Sequence, residues 1–182
     1  MVNWKVRANT LIIGLTGYAQ SGKDTVAKIL VDNYGYRRIA FADKIRELLY
    51  ETAPNYIKLI VDEVGWEEAK KYQTVRELLQ TTGVGARTVF GEDFWIKQAL
   101  SGYKNIDNVV FTDVRFTNEA DYIKWYPGSQ IWRIKRLGVE PVNSHTSETQ
   151  LDGYPVDQIF VNNGTIADLE ALVLRRLVGL PV

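Results

Sequence analysis

No cysteine occurs in this chain of 182 residues, so disulfide staples and thiolate chemistry are excluded and nothing points to an oxidising compartment. Net charge is absent as well. With 22 basic and 22 acidic residues in balance, no broad field exists to hold a nucleic-acid polymer or a membrane surface, and any anion must be gripped locally. No stretch approaches the ~20 apolar residues of a membrane span, and Met1 to Arg7 lacks the apolar core of a secretion signal. Internal repeats and low-complexity tracts are missing too. The expectation is a soluble, cytoplasmic protein of one domain, large enough to bury about 70% of its unfolded surface without a structural metal.

What the chain does have is Gly17-Tyr18-Ala19-Gln20-Ser21-Gly22-Lys23-Asp24-Thr25, directly after the apolar run Leu11-Ile12-Ile13-Gly14-Leu15. Gly17 and Gly22 are spaced as in G-x-x-x-x-G-K-[ST], with Lys23 in the lysine position, between a predicted strand and a predicted helix. Glycines let the backbone curl so that successive N–H groups point inward, and the following helix adds the positive end of its dipole. Tyr18 and Gln20 are tolerated because the backbone does the binding, while Lys23 supplies a mobile charge for terminal phosphates. Asp24 departs from the pattern, standing where a hydroxyl normally meets Mg²⁺, and Thr25 comes one place late. A carboxylate about 4 Å from a phosphate charge costs on the order of 4 kcal/mol at an effective dielectric of ~20, so a cation or its water shell is expected between them. Asp24 is therefore expected to help hold hydrated Mg²⁺, with Thr25 reaching an inner phosphate oxygen.

Further along, Ala27, Leu30 and Val31 recur at helical spacing until Gly35, and residues 36–40 read as a second strand leading into a helix that Pro54 ends. Residues 55–72 suggest a loosely amphipathic helix with a connector. A clearer helix spans Thr74 to Thr82, with Arg76 and Gln80 together on one side, and Gly83 and Gly85 are expected to break it before Arg87. Another helix is expected from about Glu92 to Leu100. Strands follow at 108–112, 130–136 and 158–161, helices from Thr117 and from Thr165 to Leu180, and residues 137–155 form the longest irregular stretch. Thr165 and Asp168 match a capping box. Alternating strands and helices predict a three-layer α/β domain with a mainly parallel sheet, and its ligands belong outside the carboxyl ends of the strands. Polar clusters follow Leu15, Ala40, Thr112 and Val161 there, and the segment after Arg136 would form a loop able to cover them.

Phosphoryl transfer needs two phosphate sites, a metal and exclusion of water. Arg76, Arg87, Arg115, Arg133 and Arg136 lie beside predicted element ends, where a planar guanidinium grips phosphate oxygens in pairs; each is equally readable as a solvated surface group. Asp113 ends an apolar strand, where a carboxylate holds Mg²⁺ through water or caps the next helix. Glu119 suits the positive start of that helix. Gln80 and Asn118 have the paired donors and acceptors to read a base or sugar, or are plain surface amides. Phe41 and Trp95 are core residues or stacking platforms. His145, the only histidine, tempts as a general base. An acceptor phosphate with a second pKa near ~6 is already ionised at neutral pH, however, so His145 is read as a lid contact or a solvated residue.

The motifs taken together resemble the deoxynucleoside monophosphate kinases of bacteriophages. They are Gly14-Leu15-Thr16-Gly17 with Ser21 to Thr25, Phe41-Ala42-Asp43, Arg76-Glu77-Leu78-Leu79-Gln80, Phe90 to Trp95, Asp113 to Glu119, His145-Thr146-Ser147-Glu148 and Asn162-Asn163-Gly164-Thr165, a likeness over about residues 11–172. It implies a three-layer P-loop kinase fold with a parallel five-stranded sheet, a helical acceptor-binding insertion at about 41–100 and a short lid at about 136–155. It also implies the reaction of ATP with a deoxynucleoside monophosphate, with Mg²⁺. Residue by residue, Gly17, Ala19, Gln20, Ser21, Gly22, Lys23, Asp24 and Thr25 would hold ATP, and Asn162, Gly164 and Thr165 would lie near its adenine. Phe41, Asp43, Lys44, Arg76, Gln80, Arg87, Trp95, Asp113, Arg115, Asn118 and Glu119 would form the acceptor site, and Arg133, Arg136, His145 and Glu148 would belong to the lid. Lys23, Arg115 and Arg136 would act on the transferring phosphate; Asp24, Thr25 and Asp113 would serve the metal. The Lys-Asp-Thr ending of the loop is similar both to this family and to animal-type phosphomevalonate kinases. Two alternatives stay open: another small-molecule kinase on the same core, of phosphomevalonate or dephospho-coenzyme A kinase type, and a nucleotide-binding switch, although Asp113 to Phe116 lacks the glycine of D-x-x-G. Pairing into a homodimer is compatible with an intracellular enzyme of this kind.

Overall fold

A computed structural model describes residues 5–6, 10–101, 103, 105–106, 108–142 and 145–179. In chain order it contains β1 (Lys5–Val6), β2 (Ile12–Thr16), α1 (Lys23–Tyr34), β3 (Arg37–Ile39), α2 (Phe41–Thr52), α3 (Asn55–Ala69), α4 (Gln73–Phe90), α5 (Phe94–Leu100), β4 (Asn105–Ile106), β5 (Val109–Phe111), α6 (Thr117–Lys124), β6 (Gln130–Lys135), α7 (Thr146–Thr149), β7 (Gln158–Val161) and α8 (Ile166–Val178). Packing divides the chain into two compact units, residues 1–40 with 102–182, and residues 41–101. Residues 143–144 of the expected lid, and Leu180 at the expected end of the last helix, lie outside the described residues.

In the first unit, five strands form a parallel sheet in the order β3-β5-β2-β6-β7, the α/β arrangement expected from the alternation of elements. All five residues of β2 are buried, because its neighbours cover both edges and helices cover both faces. Ile13 and Leu15 pack with Val26, Leu30, Trp132, Phe160, Leu169 and Val173 in one core that joins β2, α1, β6, β7 and α8. A two-stranded parallel pair of β1 and β4, not expected from the sequence, accompanies this sheet. At α8 the capping box is present: Thr165 Oγ1 accepts from Asp168 N at 3.2 Å, and Asp168 Oδ2 accepts from Thr165 N at 2.8 Å.

The second unit is helical, with Ile57, Val61, Ala69 and Val75 as a small core of its own. Gly65 interrupts α3 with φ 72° and ψ 165°, so the amphipathic segment is two helical pieces. The expected break at Gly83 and Gly85 is overturned, since α4 runs through both to Phe90. Gly83 is kept for proximity rather than for flexibility. A Cβ there would meet Ile45 Cδ1 at 3.3 Å, and its carbonyl accepts the Trp95 indole N–H at 2.7 Å, a close approach of neighbouring helices that compensates for glycine's poor propensity. Likewise α5 starts at Phe94, not at Glu92.

Gly14 sits mid-strand in β2, where a Cβ would come within 2.8 Å of Ile131 Cδ1, 2.9 Å of Ile123 Cδ1 and 3.1 Å of Val114 Cγ2. Ile123 and Ile131 are fully buried and have little room to yield. Gly14→Ala should therefore destabilise the first unit by about 1–3 kcal/mol through overpacking, measured as a lower midpoint of denaturant unfolding.

Candidate active site

The loop between β2 and α1 is held open from outside. Gly17 has φ 136°, and a Cβ on it would strike the Ile134 carbonyl of β6 at 2.2 Å; Gly22 has φ 109°, and its Cβ would strike Asn162 Nδ2 at 2.2 Å. Gln20, between them, takes a left-handed φ of 63°, which turns successive backbone N–H groups toward one concavity. Asn162 Nδ2 donates to the Ser21 carbonyl at 2.9 Å, fixing the loop from the end of β7. The Ser21 hydroxyl is buried and has no hydrogen-bond partner among the described residues, an unsatisfied donor inside an anion-shaped turn.

Lys23 folds back on this loop, its Nζ donating to the carbonyls of Gly17 and Tyr18 at 2.7 Å each. Burial, then the neighbouring Arg115 cation, lower its pKa to about 8, while Asp24, Glu148 and Asp113 act in the opposite direction. Arg115, Asp24, Glu148 and Asp113 therefore lie within electrostatic reach of Lys23. Asp24 is exposed in the first turn of α1, Thr25 is half-buried behind it, and Asp113 is half-buried beyond the carboxyl end of β5. No cluster of three or more acidic or histidine side chains that could hold a metal exists among the described residues. Mg²⁺ does not require one: it is commonly held by one or two carboxylates plus substrate phosphates, which suits Asp24 and Asp113 beside an anion loop.

Arg115 is shaped by Glu119, a buried carboxylate in α6 whose Oε2 accepts the backbone N–H of Arg115 at 2.8 Å and of Phe116 at 3.1 Å. The Arg115 guanidinium donates from Nη1 to Glu148 Oε1 at 2.6 Å. Asn118 lies half-buried in the first turn of α6. Arg133 donates to the carbonyls of Leu151, Asp152 and Tyr154, within the segment expected as the lid. Arg136 is exposed and lines, with Gly17, Tyr18, Ser21, Arg115 and Glu148, a cavity of about 290 Å³. His145 starts α7, its Nδ1 accepting from Ser147 N at 3.2 Å. Gly164 lies against the Asp168 carboxylate, where a Cβ would come within 2.6 Å.

The remaining expected acceptor residues belong to the helical unit. Asp43, Lys44 and Trp95 line a groove of about 660 Å³ with Trp66, Phe94 and Gln98; Lys44 is paired with Glu47 at 2.6 Å, and Phe41 is buried. Arg76, Gln80 and Arg87 are not among the residues lining that groove. Because α4 is unbroken, these three side chains fall within about 40° of one another around it at 100° per residue, an alignment that reading the glycines as breakers conceals. Asp152, which accepts from Tyr18 Oη at 2.9 Å, was not foreseen, since no sequence pattern marks a carboxylate in an irregular loop.

Residues 56–173 match the family model described as deoxynucleotide monophosphate kinase. A protein of Acanthamoeba polyphaga mimivirus assigned by name to the same activity is 30% identical, over 90% of this chain and 94% of its own length. A dephospho-CoA kinase of Borreliella burgdorferi is 46% identical over 52 residues, 28% of this chain and 25% of that one. Among solved structures, shikimate kinase from Aquifex aeolicus aligns over 92% of this chain and 96% of its own, with 15% identity and a TM-score of 0.46.

The depressed pKa of Lys23 sets the direction of a pH effect. A bound polyphosphate favours the charged lysine and raises its pKa above about 8, so binding takes up a proton only when pH exceeds that of the free group. ATP affinity measured in EDTA should stay level below pH 8 and fall by up to about tenfold per unit above it. Lys23→Arg keeps its charge throughout and should show no such fall.

Proposed function

We propose that this chain, which belongs to the deoxynucleotide monophosphate kinase family, transfers the γ-phosphoryl group of ATP to a deoxynucleoside 5′-monophosphate, forming the diphosphate and ADP. It is a phosphotransferase with an α/β P-loop kinase fold. The observation that carries the reading is the Lys23 ammonium folded onto the glycine-spaced loop, with the Arg115 cation near enough to oppose its charge and the buried Ser21 hydroxyl without an acceptor among the described residues. An anion that meets both cations gains from each of them.

In this reading Lys23 and the backbone of Gly17 to Gly22 hold the ATP phosphates, Thr25 reaches an inner oxygen, and Asn162 to Thr165 border the adenine. Arg115 and Arg136 stabilise charge on the phosphoryl group in transfer. For acceptor recognition the reading assigns Phe41, Asp43, Lys44, Arg76, Gln80, Arg87 and Trp95 of the helical unit, and it assigns Asn118 and Glu119 of the first unit to substrate. Asp24 and Asp113 would hold Mg²⁺, which neutralises charge on the phosphate oxygens when bound. No general base is needed, because the acceptor phosphate is largely ionised at neutral pH. The setting is deoxynucleotide supply in cytoplasm, including that of a virus-infected host, with nucleotides rather than a nucleic-acid polymer as partners. A second reading, a dephospho-CoA kinase type of reaction, is favoured by the local match of 52 residues.

A coupled ADP-release assay with ATP, Mg²⁺ and the full set of deoxy- and ribonucleoside monophosphates, alongside dephospho-CoA and phosphomevalonate, separates these. Turnover is expected with one or more deoxynucleoside monophosphates; turnover with dephospho-CoA alone would establish the second reading. Asp24→Asn should lower turnover at limiting Mg²⁺ by roughly tenfold or more while changing ATP affinity in EDTA little, a loss on the scale of one charged contact. Unaltered turnover at limiting Mg²⁺ would remove Asp24 from the metal site.

A further inference from the structure

The segment after β6 does more than border the cavity. Three contacts bind it to the phosphate-loop side of the first unit. Glu148 accepts from Arg115 Nη1 at 2.6 Å, Asp152 accepts from Tyr18 Oη at 2.9 Å, and Arg133 donates to the carbonyls of Leu151, Asp152 and Tyr154. The Glu148 side chain is 7% exposed, against 37% for Arg115, so the carboxylate rather than water fills the guanidinium's inner side. The Ser147 carbonyl takes a weaker share of the same Nη1 at 3.4 Å. His145 shapes the presenting turn through Ser147 N and Oγ. The cavity left between the loop and this segment, about 290 Å³, is at the lower limit of pockets that hold a small ligand whole.

A carboxylate and a phosphate present the same two-oxygen edge to a guanidinium. We propose that Glu148 is an internal stand-in for a substrate phosphate: it occupies Arg115 Nη1 when no nucleotide is bound, and an arriving phosphate group displaces it and releases one of the ties on residues 145–152. The inference rests on the proposed use of Arg115 for phosphate, and it deepens that reading by adding a competitor built into the chain. Exchange of one anion for another keeps Arg115 paired at every stage. Phosphate ligands are selected over neutral ones, which cannot displace a carboxylate. The competition also lowers apparent affinity by the fraction of molecules in which Arg115 Nη1 is free of Glu148.

The test is calorimetric binding of ATP in EDTA, and separately of each deoxynucleoside monophosphate, to the wild-type chain and to Glu148→Gln, with hydrogen exchange followed over residues 145–152. Gln keeps an acceptor of the same shape without the charge. About tenfold tighter binding by Glu148→Gln is expected, together with faster exchange in the unliganded variant and, in the wild type, exchange that rises on ligand binding. Tightening seen with ATP alone assigns the displaced position to the donor's phosphate; tightening with the monophosphates alone assigns it to the acceptor's. Asp152→Asn, which loosens the same segment without touching Arg115, should speed exchange but change affinity less than twofold. Equal tightening by both variants would make Glu148 a mere tether, and unchanged or weaker binding by a folded Glu148→Gln would overturn the proposal. If the wild-type chain binds ATP but no monophosphate tested, the acceptor assignment fails and the ATP arm still decides the stand-in; if it binds none of them, both readings fall.

Discussion

Everything at the phosphate loop depends on two places where another part of the chain comes too near for a side chain to exist. The Ile134 carbonyl closes on Gly17, and the Asn162 amide closes on Gly22 while donating to Ser21. These contacts, more than the freedom of the glycines themselves, fix the loop's curvature. They also explain why the loop follows the central strand of the sheet: β2 is hydrogen-bonded to β6, and β6 to β7, so the register of the ladder sets how far each neighbour's end reaches toward the turn.

Around that fixed turn the first unit gathers opposing charges at short range. Arg115 opposes the charge of Lys23, Asp24, Asp113 and Glu148 favour it, and burial of the lysine strengthens each of these influences because water screens little there. By holding two backbone N–H groups at the start of α6, Glu119 fixes where the Arg115 side chain begins.

Much of this arrangement was legible in the sequence because it rests on local signals. The glycine spacing, the apolar runs of β2, β5 and β7, and the Thr165–Asp168 cap each carry their meaning within a few residues. The errors have a common cause, which is that tertiary contact overrode local propensity. Gly83 and Gly85 read as a helix end, yet packing against Ile45 and Trp95 keeps α4 whole. Asp152 and the stand-in position of Glu148 had no local signature, since both arise from a loop folding back across more than thirty residues of sequence onto Arg115, or more than a hundred onto Tyr18.

The Asn162 contact also bears on how the protein comes into being. Ser21 and Asn162 are separated by 141 positions, so a growing chain displays the complete glycine-lysine signature long before the residue that braces it has been made. At roughly 5–20 residues per second the interval is on the order of 7–30 s. During that time the Ile134 carbonyl arrives first and the brace at Gly22 last. The brace at Gly22 is thus a late acquisition of biosynthesis, and a ribosome stalled before β7 would carry the full signature on a loop whose second wall does not yet exist.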